Sequence, residues 1–144
     1  MPAELLDSDS PDVEDFAVSW LAPLLRTSVE RKTDDTMPFC VVARISGADD
    51  PDLGTDEPVV QLDIFDHARN GLLAAQNAAK TARDVHRRMT LLARELTNVT
   101  LSDGSVANAD YVTTVLRPFR MAYANDQVVR YVARYQLGLS YVAV

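Results

Sequence analysis

The chain is predicted to fold as a single α+β domain, a mostly antiparallel β-sheet packed against two helices and ending in a long C-terminal strand. Three observations predict it. Two stretches, around residues 12–24 and 68–96, repeat apolar residues at helical spacing. Several shorter runs are rich in Val and Ile and are separated by Gly, Pro, Asn and Asp. The last seventeen residues, VVRYVARYQLGLSYVAV, alternate along one strand-like period. Helices packed on a run of antiparallel strands make an α+β sandwich.

Taken in order, residues 1–11 are polar and acidic, are interrupted by Pro2 and Pro11, and are expected to be flexible. The single domain is expected over residues 12–144. Asp12 is a plausible N-cap, with Glu14 and Asp15 in the first turn where negative charge is favoured. Phe16, Trp20 and Leu24, with Val13 and Leu21, give the first helix an apolar face, and Pro23 should kink or shorten it. Thr27 to Thr36 reads as a charged turn or loop. Pro38 to Ser46 is the first strand, residues 47–58 an acidic loop with two prolines, and Val59 to Phe65 the second strand. Two strands flanking one loop predict an antiparallel pair.

A long helix should follow, with Ala68, Leu72, Ala75, Ala79, Ala82, His86, Met89, Ala93 and Leu96 as its stripe. Thr90 or the Thr97–Asn98 pair should end it. Val99 to Leu101 is a short strand, Asp103–Gly104 a hairpin turn, and Ala109 to Phe119 another strand. Pro118 near the end of that strand marks a sheet edge or a finish. Ala124–Asn125–Asp126 turns the chain into the last strand. The expected order is α-β-β-α-β-β-β.

In that last strand Val129, Tyr131, Ala133, Tyr135, Leu137, Leu139, Tyr141 and Ala143 share one face, and Arg130, Arg134, Gln136 and Ser140 lie on the other. Fully extended, the run spans about 50 Å at roughly 3.3 Å per residue, against the ~5–6 residues of an ordinary strand. It either bends, with Gly138 as the candidate, or projects and invites a neighbour. The tyrosine face should pack on the helices, leaving the arginines for solvent, a neighbouring copy or a channel.

The chain of 144 residues is long enough for a real core, and no apolar run reaches the length of a membrane span. Met1 to Ser10 lacks the basic-then-apolar pattern of a signal peptide. A single cysteine, Cys40, excludes an intramolecular disulfide, fits a reducing compartment and reads as a small buried residue. The net charge of −7 hides a division: residues 1–66 carry sixteen Asp and Glu against four Lys and Arg, a balance of −12, while residues 67–144 carry five against ten, a balance of +5. Such a division is expected of a nucleic-acid surface, of two surfaces that attract each other within one subunit or between copies, or of charge merely scattered over a solvated surface.

Chemistry is sparse. His67 and His86 are nineteen residues apart, and no phosphate-binding glycine loop or G-x-S-x-G is present. The stretch Asp50-Pro-Asp52-Leu-Gly54-Thr-Asp56-Glu57 is similar to a calcium loop in its carboxylates, but lacks the sharp-turn glycine and the distant bidentate Glu. It is expected to be a solvated hairpin loop. The aromatic residues of the last strand lie opposite its arginines, so no stacking platform for single-stranded nucleic acid is expected. No cofactor and no catalytic residue is predicted.

The assembled pattern, an acidic helix, then VARISG, PVVQLDIFD, AKTARDVHRRM, LSDG, LRPFRMAYANDQVVR and RYVARYQL, resembles the tail terminator proteins of siphoviruses, especially those of phages infecting actinobacteria. The resemblance covers roughly residues 13–144. It implies a structural virion protein at the head-proximal end of the tail, assembled in the host cytoplasm. Such a protein forms a ring, a hexamer in this family. The ring caps the tail tube, stops its polymerisation and presents a surface for head–tail joining. The implied partners are further copies of itself, the major tail tube protein and a head–tail connector. Contact with genomic DNA in the lumen is left open, and no membrane is involved. Head-to-tail rings need two different patches per subunit. Arg117, Arg120, Arg130 and Arg134 are the candidates for the basic one, and Asp49, Asp50, Asp52, Asp56 and Glu57 for the acidic one. The alternatives are another ring-forming neck or head-completion protein and, more remotely, a small metal-binding or enzymatic domain.

Overall fold

The computed structural model describes residues 3–32 and 36–144. The chain opens with β1 (Ser8–Asp9) and α1 (Val13–Leu21). Asp12 caps α1, its Oδ1 accepting from the backbone N–H groups of Glu14 at 3.0 Å and Asp15 at 3.2 Å. These are two of the donors that a helix start leaves without an internal partner. Val13, Phe16, Ala17, Trp20 and Leu21 are buried. The helix stops two residues before Pro23, as expected, and Leu24 falls beyond it in an exposed position.

Then come β2 (Arg26–Ser28), β3 (Phe39–Ser46), the two-residue strands β4 (Asp49–Asp50) and β5 (Thr55–Asp56), and β6 (Val59–His67). The Thr27–Thr36 stretch is a correction in part: Thr27 and Ser28 belong to a strand that runs parallel to β3. The turn expected at Thr33, Asp34 and Asp35 lies outside the described residues. β3 and β6 pair antiparallel from Phe39↔Phe65 to Ser46↔Val59.

α2 (Ala74–Glu95) follows, then β7 (Val99–Thr100), β8 (Val106–Ala107), β9 (Ala109–Met121), β10 (Val128–Ser140) and β11 (Val142–Ala143). α2 starts later than expected, because residues 69–72 form a turn with reciprocal Arg69 and Leu72 backbone bonds. Its stripe is also rotated. Ala78, Thr81, Ala82, Val85, Met89 and Leu92 are buried, whereas Ala75, Ala79, His86 and Ala93 are half-buried beside them. Alanine gives little contrast between faces, so Val85 and Leu92 fix the orientation. The helix ends at Glu95, and Leu96 takes a left-handed backbone with φ 48°. The Asp103–Gly104 turn joins β7 to β8 as read.

β10 is the centre of the sheet. Its order is β2-β3-β6-β10-β5-β4, with β9 on the free side of β10. Leu139 pairs with Asp56 of β5 and with Ala109 of β9, so those two strands lie on opposite edges of β10. The long terminal run ends sooner than its alternation suggested. β10 stops at Ser140, and β11 turns away to pair with β1. Ser8 and Asp9, inside the stretch expected to be flexible, are thereby tied to the domain.

Both helices pack on one face of the sheet. Phe16, Trp20 and Leu21 from α1, and Ala82, Val85, Met89 and Leu92 from α2, meet Cys40, Val42, Leu62, Ile64, Ala133, Tyr135, Leu137 and Leu139 in one core. Directly paired residues share a face, so the opposite face carries Arg130, Val132 and Arg134 with Phe65, Asp63 and Gln61 beside them.

Candidate assembly surfaces

β9 is a 13-residue edge strand with most of its residues exposed. At roughly 3.4 Å per residue it is about 44 Å long. Val115, Phe119 and Met121 are among its exposed apolar residues. The β9–β10 register shifts between Val132 and Arg134, between Arg134 and Tyr135, and between Gly138 and Leu139, and each time β9 carries the extra residue. Pro118 lies within the first of these bulges. It marks the edge, as expected, without ending the strand.

Arg130 and Arg134 lie on the face opposite Ala133 and Tyr135, which are in the core. They already have partners in their own chain. Arg130 Nη2 donates to Asp63 Oδ1 at 3.0 Å, and Arg134 Nε donates to Gln61 Oε1 at 3.0 Å. They therefore make a cross-strand ladder over β6 and β10, with Arg134 still exposed at the surface.

The acidic residues gather around β4 and β5. Asp50 Oδ1 accepts from the backbone N–H groups of Asp52 and Leu53 at 3.1 and 3.3 Å, which shapes the loop tip. Asp49 accepts from the Tyr141 hydroxyl, and Glu57 from the Tyr111 hydroxyl at 2.7 Å. The Glu57 bond, with burial, pushes the Tyr111 pKa up to about 12. Asp56 corrects the reading of this group as a surface patch. It is only 1% exposed, and both its oxygens take guanidinium N–H groups of Arg44 at 2.8 Å. The Ser10 hydroxyl adds a third bond at 2.7 Å. Burial works to raise the Asp56 pKa, but these bonds outweigh it and hold the carboxyl below its ordinary range. Asp56 is thus structural, tying the N-terminal segment to β3 and β5.

Arg117 and Arg120 stand on β9, on the helix side of the sheet. Arg117, with Pro118 and Tyr131, faces Ala79, Ala82, Arg83 and His86 of α2 across an open cleft of about 410 Å³. Small residues at Ala79 and Ala82 leave the space. At its edge His86 Nδ1 lies 2.7 Å from the Tyr135 hydroxyl. Burial, then the nearby Arg117 charge, pushes the His86 pKa down. Arg83, Arg87, Arg94, Arg117 and Arg120 make no ion pair or hydrogen bond among the described residues. Sequence reasoning found Arg117 and Arg120 but missed Arg83 and the cleft, which exists only where α2 crosses β9.

His67 is exposed at the end of β6, far along the chain from His86. Cys40 is fully buried, and burial, then Asp63, pushes its thiol far up. Among the described residues, no three His, Cys, Asp or Glu side chains are placed to hold a metal ion. No protein-family model matches the chain, and no curated protein matches it.

Proposed function

We propose that the chain is a ring-forming subunit of a siphovirus tail terminator. The ring closes the head-proximal end of the tail tube, stops its growth and offers the surface for head–tail joining. The observation that carries this reading is the β9 edge. A small domain whose core is already closed by two helices also extends a bulged, 13-residue strand with exposed apolar side chains along one side. Isolated exposed apolar residues need no explanation, whereas Val115, Phe119 and Met121 along one edge support a contact surface there. The acidic group at β4–β5 and the unpaired arginines on α2 and β9 supply two unlike patches, the requirement of a head-to-tail ring.

The test is native mass spectrometry and negative-stain electron microscopy of the full chain, alone and mixed with the tail-tube protein of the same genome. Closed rings seated on tube ends, with tube length limited, support the reading. Rings that bind only a head connector would favour a neck or head-completion protein. A monomer in both settings would refute ring formation.

A further inference from the structure

The N-terminal arm carries the sequence Glu4-Leu5-Leu6-Asp7, and both leucines stand in solvent, 91% and 72% exposed. Two adjacent leucines gain nothing there. Burying each is worth about tenfold to over a hundredfold in an association constant, given about 1.5–3 kcal/mol per side chain. The arm is also held out in a defined place. β1 pairs Ser8 and Asp9 with Ala143 and Val142, and the Asp7 carbonyl accepts from the Val144 N–H at 2.9 Å. The root of the arm is fixed, while Leu5 and Leu6 stay uncovered by the described residues.

The cleft between α2 and β9 is the chemical complement of that tip. Its floor is Ala79, Ala82 and Tyr131, and its rim carries Arg83, His86 and Arg117. Arg83 and Arg117 are among the five arginines that make no ion pair or hydrogen bond among the described residues. The other exposed leucine in acidic surroundings, Leu53, sits on the turn that Asp50 shapes and offers one apolar side chain where the arm offers two. We infer that the arm of one copy docks in the α2–β9 cleft of the next, Leu5 and Leu6 on the alanine floor and Glu4 and Asp7 against Arg83 and Arg117. This rests on the ring reading for its occupant, a second copy of the chain, and it names the contact that joins neighbours.

Two full-length variants test it. One carries the reversed arm Glu4→Lys/Asp7→Lys, the other the reversed cleft Arg83→Glu/Arg117→Glu. Each is checked for folding by circular dichroism and for assembly by sedimentation. Each alone should assemble at least tenfold more weakly than the wild type, since like charges then meet. An equimolar mixture should recover assembly, since each arm then finds an opposite cleft. Leu5→Ser/Leu6→Ser should weaken assembly at least tenfold, whereas Leu53→Ser should not. Separate chains bearing Leu5→Cys and Ala79→Cys, mixed and oxidised, should form a dimer link. Cys40 is fully buried and takes no part in it.

Rings that form with wild-type affinity in the arm and cleft variants would overturn this contact while leaving the ring reading intact. A wild-type chain that stays monomeric alone and with tubes would overturn the ring reading and the contact together. A cross-link that forms only within a single chain bearing both cysteines would show the arm closing on its own cleft. If the reversed cleft loses binding to a short DNA duplex while assembly is unchanged, the arginines serve phosphates and the proposal fails.

Discussion

Asp56 is a buried carboxylate whose charge is matched by a single guanidinium. Removing Arg44 would leave that charge desolvated with only the Ser10 hydroxyl and backbone dipoles around it. Breaking a fully buried pair costs about 3–5 kcal/mol; Arg44 is 36% exposed, so screening reduces the expected loss for Arg44→Met to about 2 kcal/mol at pH 7. The pH dependence follows in sign. The folded Asp56 pKa is depressed, so its stabilisation is complete above the unfolded value near 3.9 and is lost as pH falls through the lower folded value. In Arg44→Met the desolvated carboxyl titrates above that value, and its contribution is lost as pH rises. Urea unfolding at pH 7 and pH 3 should show the gap between wild type and variant narrowing in acid. A constant gap would mean that the pair contributes by packing alone. Asp66 follows the same logic with Arg69 and the buried Thr81 hydroxyl, and adds to the wild type's loss in acid.

Gly138 is a second position where one side chain decides the local structure. The sequence suggests a bend there; the structure instead uses the missing side chain as space. A Cβ at Gly138 would lie 2.2 Å from Cε1 of Tyr111, whose ring lies across the glycine from β9. Gly138→Ala should therefore displace the ring and weaken the Tyr111–Glu57 hydrogen bond, for a net loss of about 1 kcal/mol. Combined with Tyr111→Ala it should cost no more than Tyr111→Ala alone. Denaturant midpoints of the two single variants and the double variant decide this, and additive losses would count against it.

At the scale of elements, β9 combines a long exposed edge with three bulges and a proline. An edge presents unpaired N–H and C=O groups, and bulges with Pro spoil it as a template for another strand. The contact surface is then side chains rather than backbone. Pro118→Val restores an N–H and removes the φ restraint, so the variant should aggregate faster at elevated protein concentration, read by light scattering. Unchanged scattering would show that the bulges alone protect the edge.

How much of the elements was legible depends on contrast between faces. Asp12, Phe16 and Trp20 placed α1 because capping and spacing agree there. β3, β6 and β10 were legible because Val, Ile and Tyr alternate or cluster strongly. The two-residue strands β1, β4, β5, β8 and β11 were missed, since pairs such as Asp49–Asp50 carry no pattern and pair only because a neighbouring backbone is already in place. α2 was found but rotated, because its alanines look alike from every side. Arg130 and Arg134 were placed on the correct face, yet their partners Asp63 and Gln61 depend on the β6–β10 register, which a single sequence leaves open. Asp56 looked like its exposed neighbours for the same reason.

For the whole molecule, the division of charge along the chain becomes a division in space. The acidic side chains collect at the β4–β5 end and along the N-terminal segment, and the unpaired arginines along α2 and β9. If unlike patches join copies, association is sensitive to salt. The Debye length falls from about 30 Å at 0.01 M to about 3 Å at 1 M. Sedimentation of the wild type between those limits should show assembly weakening by at least tenfold. The Tyr135–Val42 core should be untouched, because apolar burial is not screened. Assembly that strengthens with salt would place the apolar residues of β9 ahead of the charges.

The chain's lone indole offers a way to watch folding apart from assembly. Trp20 Nε1 donates to the Arg88 carbonyl at 3.0 Å, and the Arg88 guanidinium lies 3.8 Å over its ring, so the fluorophore sits in the seam between α1 and α2. That seam is separate from β9 and from the cleft that Arg117 lines. Emission should therefore shift red when the helices part, yet stay constant while copies join or separate. A titration that moves particle size without moving the emission maximum would track quaternary change on an intact subunit, and a variant that moves both has lost its helix packing first.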